Sequence, residues 1–312
     1  MPNPLPQISS TAWEHPADRA ALNTLRAIPG FDEVMRQVAT FLTERRVRQI
    51  FLANAVQVSP VQRPKLDALL TDVLTTLDWP RRPELYVTQS PRVNAYAIGF
   101  DNPFIVMTSG ALELLESDDE RRFLLAHELG HIMSDHMTYR TIAMVLVTVG
   151  SLALLPVGIA LLPFQLALLE WHRKSEFSSD RAALLAIQDR AVAGTTFMRL
   201  AGGRDYGDIT SVDAFMTQAA TYESGGDTWD KILKVFNTVR AAELERWRTS
   251  GVYDAIVAGA YTRRGEQNQA LGDDISDAAR YYSDKANAGM SIVGDAFDRA
   301  KSAFTDAFRG RD

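Results

Sequence analysis

The chain of 312 residues contains no cysteine. Disulfides and thiolate metal sites are therefore excluded, and a reducing compartment suits the composition. Positive charge is not in excess: 33 Lys and Arg stand against 39 Asp and Glu, a net charge of −6. A nucleic-acid role has no electrostatic support. The opening MPNPLPQISSTAWEHP has neither a basic n-region nor an apolar h-region, so no secretory signal peptide is expected. Short internal repeats and long low-complexity tracts are also lacking. Histidine is scarce, with five in the chain, which makes the spacing of two of them informative.

His127-Glu128-Leu129-Gly130-His131 reads H-E-x-x-H. On a helix, residues four apart share a face with Cβ atoms about 6 Å apart, so both imidazoles can reach one tetrahedral Zn²⁺ at about 2.0–2.1 Å. The intervening Glu128 stands beside the metal and can take a proton from an activated water. The helix has its own signals. Ser117-Asp118-Asp119-Glu120 is a capping-box sequence, two Asp suit the positive end of the helix dipole, and Phe123, Leu124 and Ile132 supply an apolar face. The pattern predicts a helix from Asp118 to His136. His136, five residues beyond His131, falls well off the paired face and reads as an exposed or supporting residue rather than a ligand.

A catalytic zinc takes three protein ligands and keeps one open position. Downstream, EWHRKSEFSSDRAALLAIQD spans Glu170 to Asp189. Glu176 and Asp180 share a helical face, so Glu176 can complete a His₂Glu site while Asp180 orients a ligand histidine through its other ring nitrogen. His172, one turn before Glu176, is the rival third ligand. An ordinary amphipathic surface is the alternative for both carboxylates. Asn94 to Gly99 alternates small and larger residues as an edge strand does, and a substrate peptide can pair with such an edge. A strand without a substrate role reads equally well from these residues alone. Glu84–Thr88 and Phe104–Thr108 are expected as its neighbours in a small sheet.

HELGH with a following E-x-x-x-D helix resembles the HtpX-type and CAAX-prenyl-protease-type zinc metallopeptidases, which are gluzincins. Asn94-Ala95-Tyr96-Ala97, and then Pro103 to Gly110, are similar to that family's N-A-[FY]-A strand and the strand and glycine after it. The resemblance covers about residues 60 to 190. It implies one Zn²⁺ per chain held by His127, His131 and Glu176, with Glu128 as general base and acid and Asp180 behind a ligand histidine. It implies Asn94, Ala95, Tyr96 and Ala97 as the substrate strand. Ser179 stands where the family more often has Ala, a mild departure. The expected reaction is hydrolysis of peptide bonds in a protein or peptide substrate, serving membrane-associated proteolysis or quality control. A non-catalytic membrane scaffold or holdase with a structural zinc is the alternative. The residue stabilising the oxyanion is not identified; an Arg, Tyr or His of the C-terminal third would serve.

Thr141 to Leu169 contains no charged residue, long enough for a membrane span on hydropathy alone. One crossing is forbidden if His131 and Glu176 share a metal, because they flank the run. Two are short. About fourteen helical residues before Pro156 rise about 21 Å against a hydrocarbon core of about 30 Å. The expectation is a helical hairpin entering or resting on one leaflet, with the site on the cytoplasmic side. A soluble hairpin buried in the core or in an oligomer contact is the alternative.

The fold class expected is α+β, predominantly helical: a zincin-like catalytic domain with a small sheet, an apolar helical hairpin and C-terminal helices. The divisions expected are an N-terminal helical segment over 1–60, a metallopeptidase domain over 61–203 with the hairpin at 141–169, and a C-terminal helical region over 204–312. Residues 1–17, rich in proline, are expected to be loosely ordered. Met290 to Ala307 carries an apolar seam suited to another helix; packing on the protein's own body is the expectation, with a partner site or a membrane-surface contact as alternatives, and an oligomer is possible.

Overall fold

Two long helices meeting beside a four-stranded sheet organise the part of the chain that carries the H-E-x-x-H pentad. The computed structural model describes residues 2–26, 44–141, 143, 156–204, 211–225 and 236–266. The apolar seam of Met290 to Ala307 lies outside the described residues, as do 142 and 144–155 of the uncharged run.

Two compact units are formed: a larger one from 1–14, 42–138 and 175–267, and a smaller one from 15–41, 139–174 and 268–312. In chain order the helices are α1 (Pro16–Arg26), α2 (Glu44–Asn54), α3 (Pro64–Thr76), α4 (Ser109–Leu114), α5 (Asp118–Met133), α6 (Pro156–Ile187), α7 (Arg190–Gly202), α8 (Val212–Gly225), α9 (Asn237–Thr249) and α10 (Val252–Val257). The strands are β1 (Ala55–Gln57), β2 (Leu85–Thr88), β3 (Ala95–Ile98) and β4 (Phe104–Thr108). The architecture is α+β with helix in excess, as expected.

The sheet order is β1-β2-β4-β3, with β2 and β4 parallel and the outer pairs antiparallel. β3 is an edge, as its composition predicts, but its single neighbour is β4, and β2 lies one strand further in. All five residues of β4 are buried, as a central strand covered on both faces requires. One face carries Leu85, Val87, Ala97, Ile105 and Met107 into the main core with α3 and α5. The other carries Tyr86, Ile98, Phe104 and Val106 against Phe51 of α2.

The N-terminal stretch corrects the expectation of loose order. Leu5, Ile8 and Trp13 are fully buried in the main core. Leu5 N–H donates to the Thr76 carbonyl at 2.8 Å, Ser9 N–H to that of Thr262 at 3.0 Å, and Arg264 N–H to that of Gln7 at 2.7 Å. The prolines restrict the backbone, the chain turns at Gln7 with φ of 56°, and the apolar residues supply the burial that holds the stretch.

The uncharged run also differs from expectation. Its second arm does not end before the Glu176 segment: α6 runs from Pro156 to Ile187 without interruption. Neither Gly nor Pro occurs between Phe164 and Ile187, so nothing local breaks the helix. No helix among the described residues is long and apolar enough to cross a membrane. In the smaller unit the Tyr139 and Trp171 rings meet edge to face, their centroids 5.6 Å apart.

Candidate metal centre

Helix α5 begins as its sequence predicts. The Ser117 hydroxyl accepts from Glu120 N–H at 3.1 Å, and the Glu120 carboxylate accepts from Ser117 N–H at 2.9 Å. Its other end stops earlier than expected, at Met133. Asp135 takes a left-handed conformation with φ of 56°, and the chain folds back so that His136 N–H donates to the His131 carbonyl at 3.0 Å. His136 is therefore buried at 3% exposure, not displayed on the helix surface. A helix continued through residue 136 would have pointed it elsewhere.

Gly130 explains how α5 and α6 come close enough to share a site. A Cβ at this position would lie 2.8 Å from Ala182 Cβ and 3.2 Å from Ser179 Cα. The crossing sets α6 against the pentad, one turn from Glu176.

His127, His131 and Glu176 form a group able to hold a metal, all three buried. The Nε2 atoms of His127 and His131 are 3.2 Å apart. Glu176 Oε2 lies 3.3 Å from His127 Nε2, and Oε1 lies 3.2 Å from His131 Nε2. A tetrahedral ion with bonds of about 2.0–2.1 Å has its ligand atoms about 3.3 Å from one another, which the imidazole pair matches. Glu176 turns a different oxygen to each ring, and one donor atom from each of the three residues lies within 4.8 Å of the others. His172 is not among the grouped residues.

The surroundings are charged in a particular way. Asp180 Oδ1 lies 2.9 Å from His127 Nδ1. A carboxylate accepts there, so Nδ1 carries a proton, and with an ion bound Nε2 is left to offer its lone pair. Arg240 of α9 donates from Nε to Asp180 Oδ2 at 2.8 Å and from an Nη to Oδ1 at 2.5 Å. Its other Nη is 3.4 Å from Glu176 Oε2, and its guanidinium lies over the Phe197 ring, 5.3 Å from the centroid. The carboxylates of Glu128, Glu176 and Asp180 outnumber this guanidinium by two formal charges, which a divalent cation cancels. Donor chemistry, spacing and charge all fit zinc.

Without that ion the site draws in a proton. Burial alone would lower the His127 pKa, but the Glu176 carboxylate, with Asp180 behind the ring and Arg240 opposing, holds it up at about 9. Glu176 is well below the usual carboxylate range: burial opposes this, and His127 and Arg240 outweigh it.

Glu128 is 2% exposed. Its Oε2 accepts from Ala97 N–H of β3 at 2.7 Å, and its Oε1 is 3.9 Å from His127 Nε2. Ala95 and Ala97 are buried on the core side, Tyr96 is partly buried, and Asn94 is exposed just before the strand. Asn94 also closes the sheet edge, its carbonyl accepting from the Thr108 amide at 3.0 Å and hydroxyl at 2.9 Å. The structure thus gathers His127, His131, Glu176, Asp180, Glu128 and the Ala97 amide. Arg240 is the participant that sequence reading does not single out. Sixty residues separate it from Asp180, and its only local signal is membership of a helix in the C-terminal third.

An α+β fold of zincin type, with a helical H-E-x-x-H pair and a carboxylate from a second helix, defines a metallopeptidase. The chain belongs to peptidase family M48, whose profile matches residues 60–238. It is 35% identical over 262 residues to the plastoglobule-localized metallopeptidase 48, chloroplastic, of Arabidopsis thaliana, covering 80% of this chain and 75% of that one. It is 32% identical over 123 residues to a protease HtpX homolog of Moorella thermoacetica, covering 39% of this chain and 40% of that one. A protease HtpX homolog of Helicobacter pylori is 34% identical over 83 residues, 26% of each chain. No solved structure matches the chain. The protein is a metallopeptidase of the HtpX type, a hydrolase acting on protein or peptide substrates.

Proposed function

We propose that the protein is a zinc endopeptidase whose ion is held by His127, His131 and Glu176, with Glu128 as general base and then general acid. The observation that carries this reading is the convergence, in one buried group, of two imidazole Nε2 atoms 3.2 Å apart and a carboxylate whose oxygens lie 3.3 and 3.2 Å from them. Zinc bound there supplies a Lewis acid that polarises a peptide carbonyl and brings the pKa of a water toward about 7.

The protein residues divide the remaining work. The Glu128 carboxylate takes a proton from water as the water oxygen bonds to the carbonyl carbon. It returns that proton to the amide nitrogen as the C–N bond breaks. The Ala97 amide fixes the carboxylate rotamer through Oε2. Asp180 holds the His127 proton on Nδ1, and Arg240 holds Asp180 by two hydrogen bonds. The edge strand places substrate: a segment pairing with β3 near Ala95 would lie about 7 Å along the strand from the amide that anchors Glu128. Main-chain pairing at Asn94 to Ala97 tolerates many side chains and favours extended or unfolded stretches. That suits processing or quality control.

Glu128→Gln tests the assignment. Zinc content and fold should be those of the parent, while cleavage of an unfolded protein substrate falls by about 10²–10⁴-fold. Parental cleavage by this variant would end the proposal.

Association with a membrane through 141–169, on its cytoplasmic face, completes the reading. The run's lack of charge favours a lipid surface, and the flanking positions of His131 and Glu176 favour contact without a single crossing. After cell fractionation the protein should stay with membranes through a high-salt wash. Complete recovery as a detergent-free soluble species would remove this part and leave the zinc chemistry standing.

A further inference from the structure

The two paired imidazoles are not held alike. His127 Nδ1 faces a carboxylate, whereas His131 Nδ1 lies 3.0 Å from Nδ1 of His136. Two ring nitrogens at that separation need one N–H and one lone pair between them. His131 can present its Nε2 lone pair to an ion only with its proton on Nδ1. His136 must then accept at Nδ1 and carry its own proton on Nε2. The His131 and His136 rings meet edge-on, centroids 5.3 Å apart and planes at 62°. The left-handed turn at Asp135 fixes the approach, because the same fold-back joins His136 N–H to the His131 carbonyl. His136 is thereby tied to His131 through both backbone and ring.

We infer that His136 is a positioning residue for the metal site, an acceptor that sets the tautomer and ring orientation of His131. The inference rests on the zinc-site reading above and adds to it a residue outside the ligand set. A histidine that merely filled core volume would not need its Nδ1 aimed at the Nδ1 of His131.

The test uses the full chain, with zinc affinity measured by competition with a chromophoric chelator and the visible absorption of the Co²⁺-loaded protein recorded beside it. His136→Phe keeps a ring and removes the acceptor. It should weaken zinc binding about 10–100-fold, the usual effect of losing a group behind a metal-bound histidine, and alter the cobalt bands. His136→Asn, whose Oδ1 stands where the Nδ1 acceptor stood, should recover affinity and the parental spectrum. His136→Leu provides the same contrast should the Phe variant not fold. Parental affinity and spectrum in the Phe or Leu variant would overturn the inference, as would an Asn variant no better than Phe. A parent chain that takes up no zinc would overturn the metal-site reading itself, a result distinct from either.

Discussion

The two halves of α5 handle charge in opposite ways. Around its first turns, Glu116, Asp118, Asp119, Glu120 and Asp72 face Lys65, Arg121, Arg122, Arg199 and Arg204, five acids against five bases in direct ion pairs. Around its last turns, three carboxylates and two imidazoles face Arg240 alone among these partners. The first arrangement holds a helix in place and is electrically complete. The second, among these groups, has a surplus of carboxylate that a divalent cation would offset. Each half faces a largely buried arginine from another helix, Arg199 at one end and Arg240 at the other, so packing alone does not separate structure from function on this helix. The sign and count of unbalanced charge do.

The comparison is most exposed at Arg240. Arg240→Met removes the guanidinium from Asp180, which is 1% exposed. Breaking a buried pair from one side typically costs about 3–5 kcal/mol, and that loss is expected in urea unfolding of the metal-free protein. Saturating zinc should shrink the deficit, because the cation cancels charge that the guanidinium no longer offsets. An equal loss with and without zinc would mean that Arg240 serves packing only, and the contrast between the two halves would fall.

What could be read from sequence follows from how local each cause is. The start of α5 was legible because Ser117 and Glu120 sit three residues apart and satisfy each other's backbone amides. The pairing of His127 with His131 needed only helical geometry. Glu176 and Asp180 were legible as a second helical face once a third ligand was required. The inward position of His136 was not, since a non-glycine residue in left-handed conformation at Asp135 leaves no clear mark in the sequence. Arg240 is recruited by tertiary packing alone. Ala55–Gln57 is too short to announce a strand. Leu5, Ile8 and Trp13 did carry a signal, apolar side chains spaced between prolines, but proline content weighed against it. The continuity of α6 through Glu170 was hidden by reading a change from apolar to charged residues as a boundary, although a helix can pass through such a change unbroken.

Arg199 is the counterpart at the capped end and offers the sharper control. It donates to Glu120 Oε2 at 3.0 Å and to Glu116 Oε2 at 2.9 Å, joining α7 to the start of α5. Glu120 keeps two backbone donors after its loss, Glu116 N–H at 3.0 Å and Ser117 N–H at 2.9 Å. Arg199→Met should therefore cost less than its counterpart, about 1.5–3 kcal/mol for a hydrogen-bonded charge. Because this end is already balanced, the same loss is expected with and without zinc, and zinc affinity should match the parent. A zinc-dependent deficit would show that the cap transmits strain along α5 to His127 and His131. The helix would then act as one rigid lever between its ends, and charge balance at one end could no longer be treated separately from metal binding at the other.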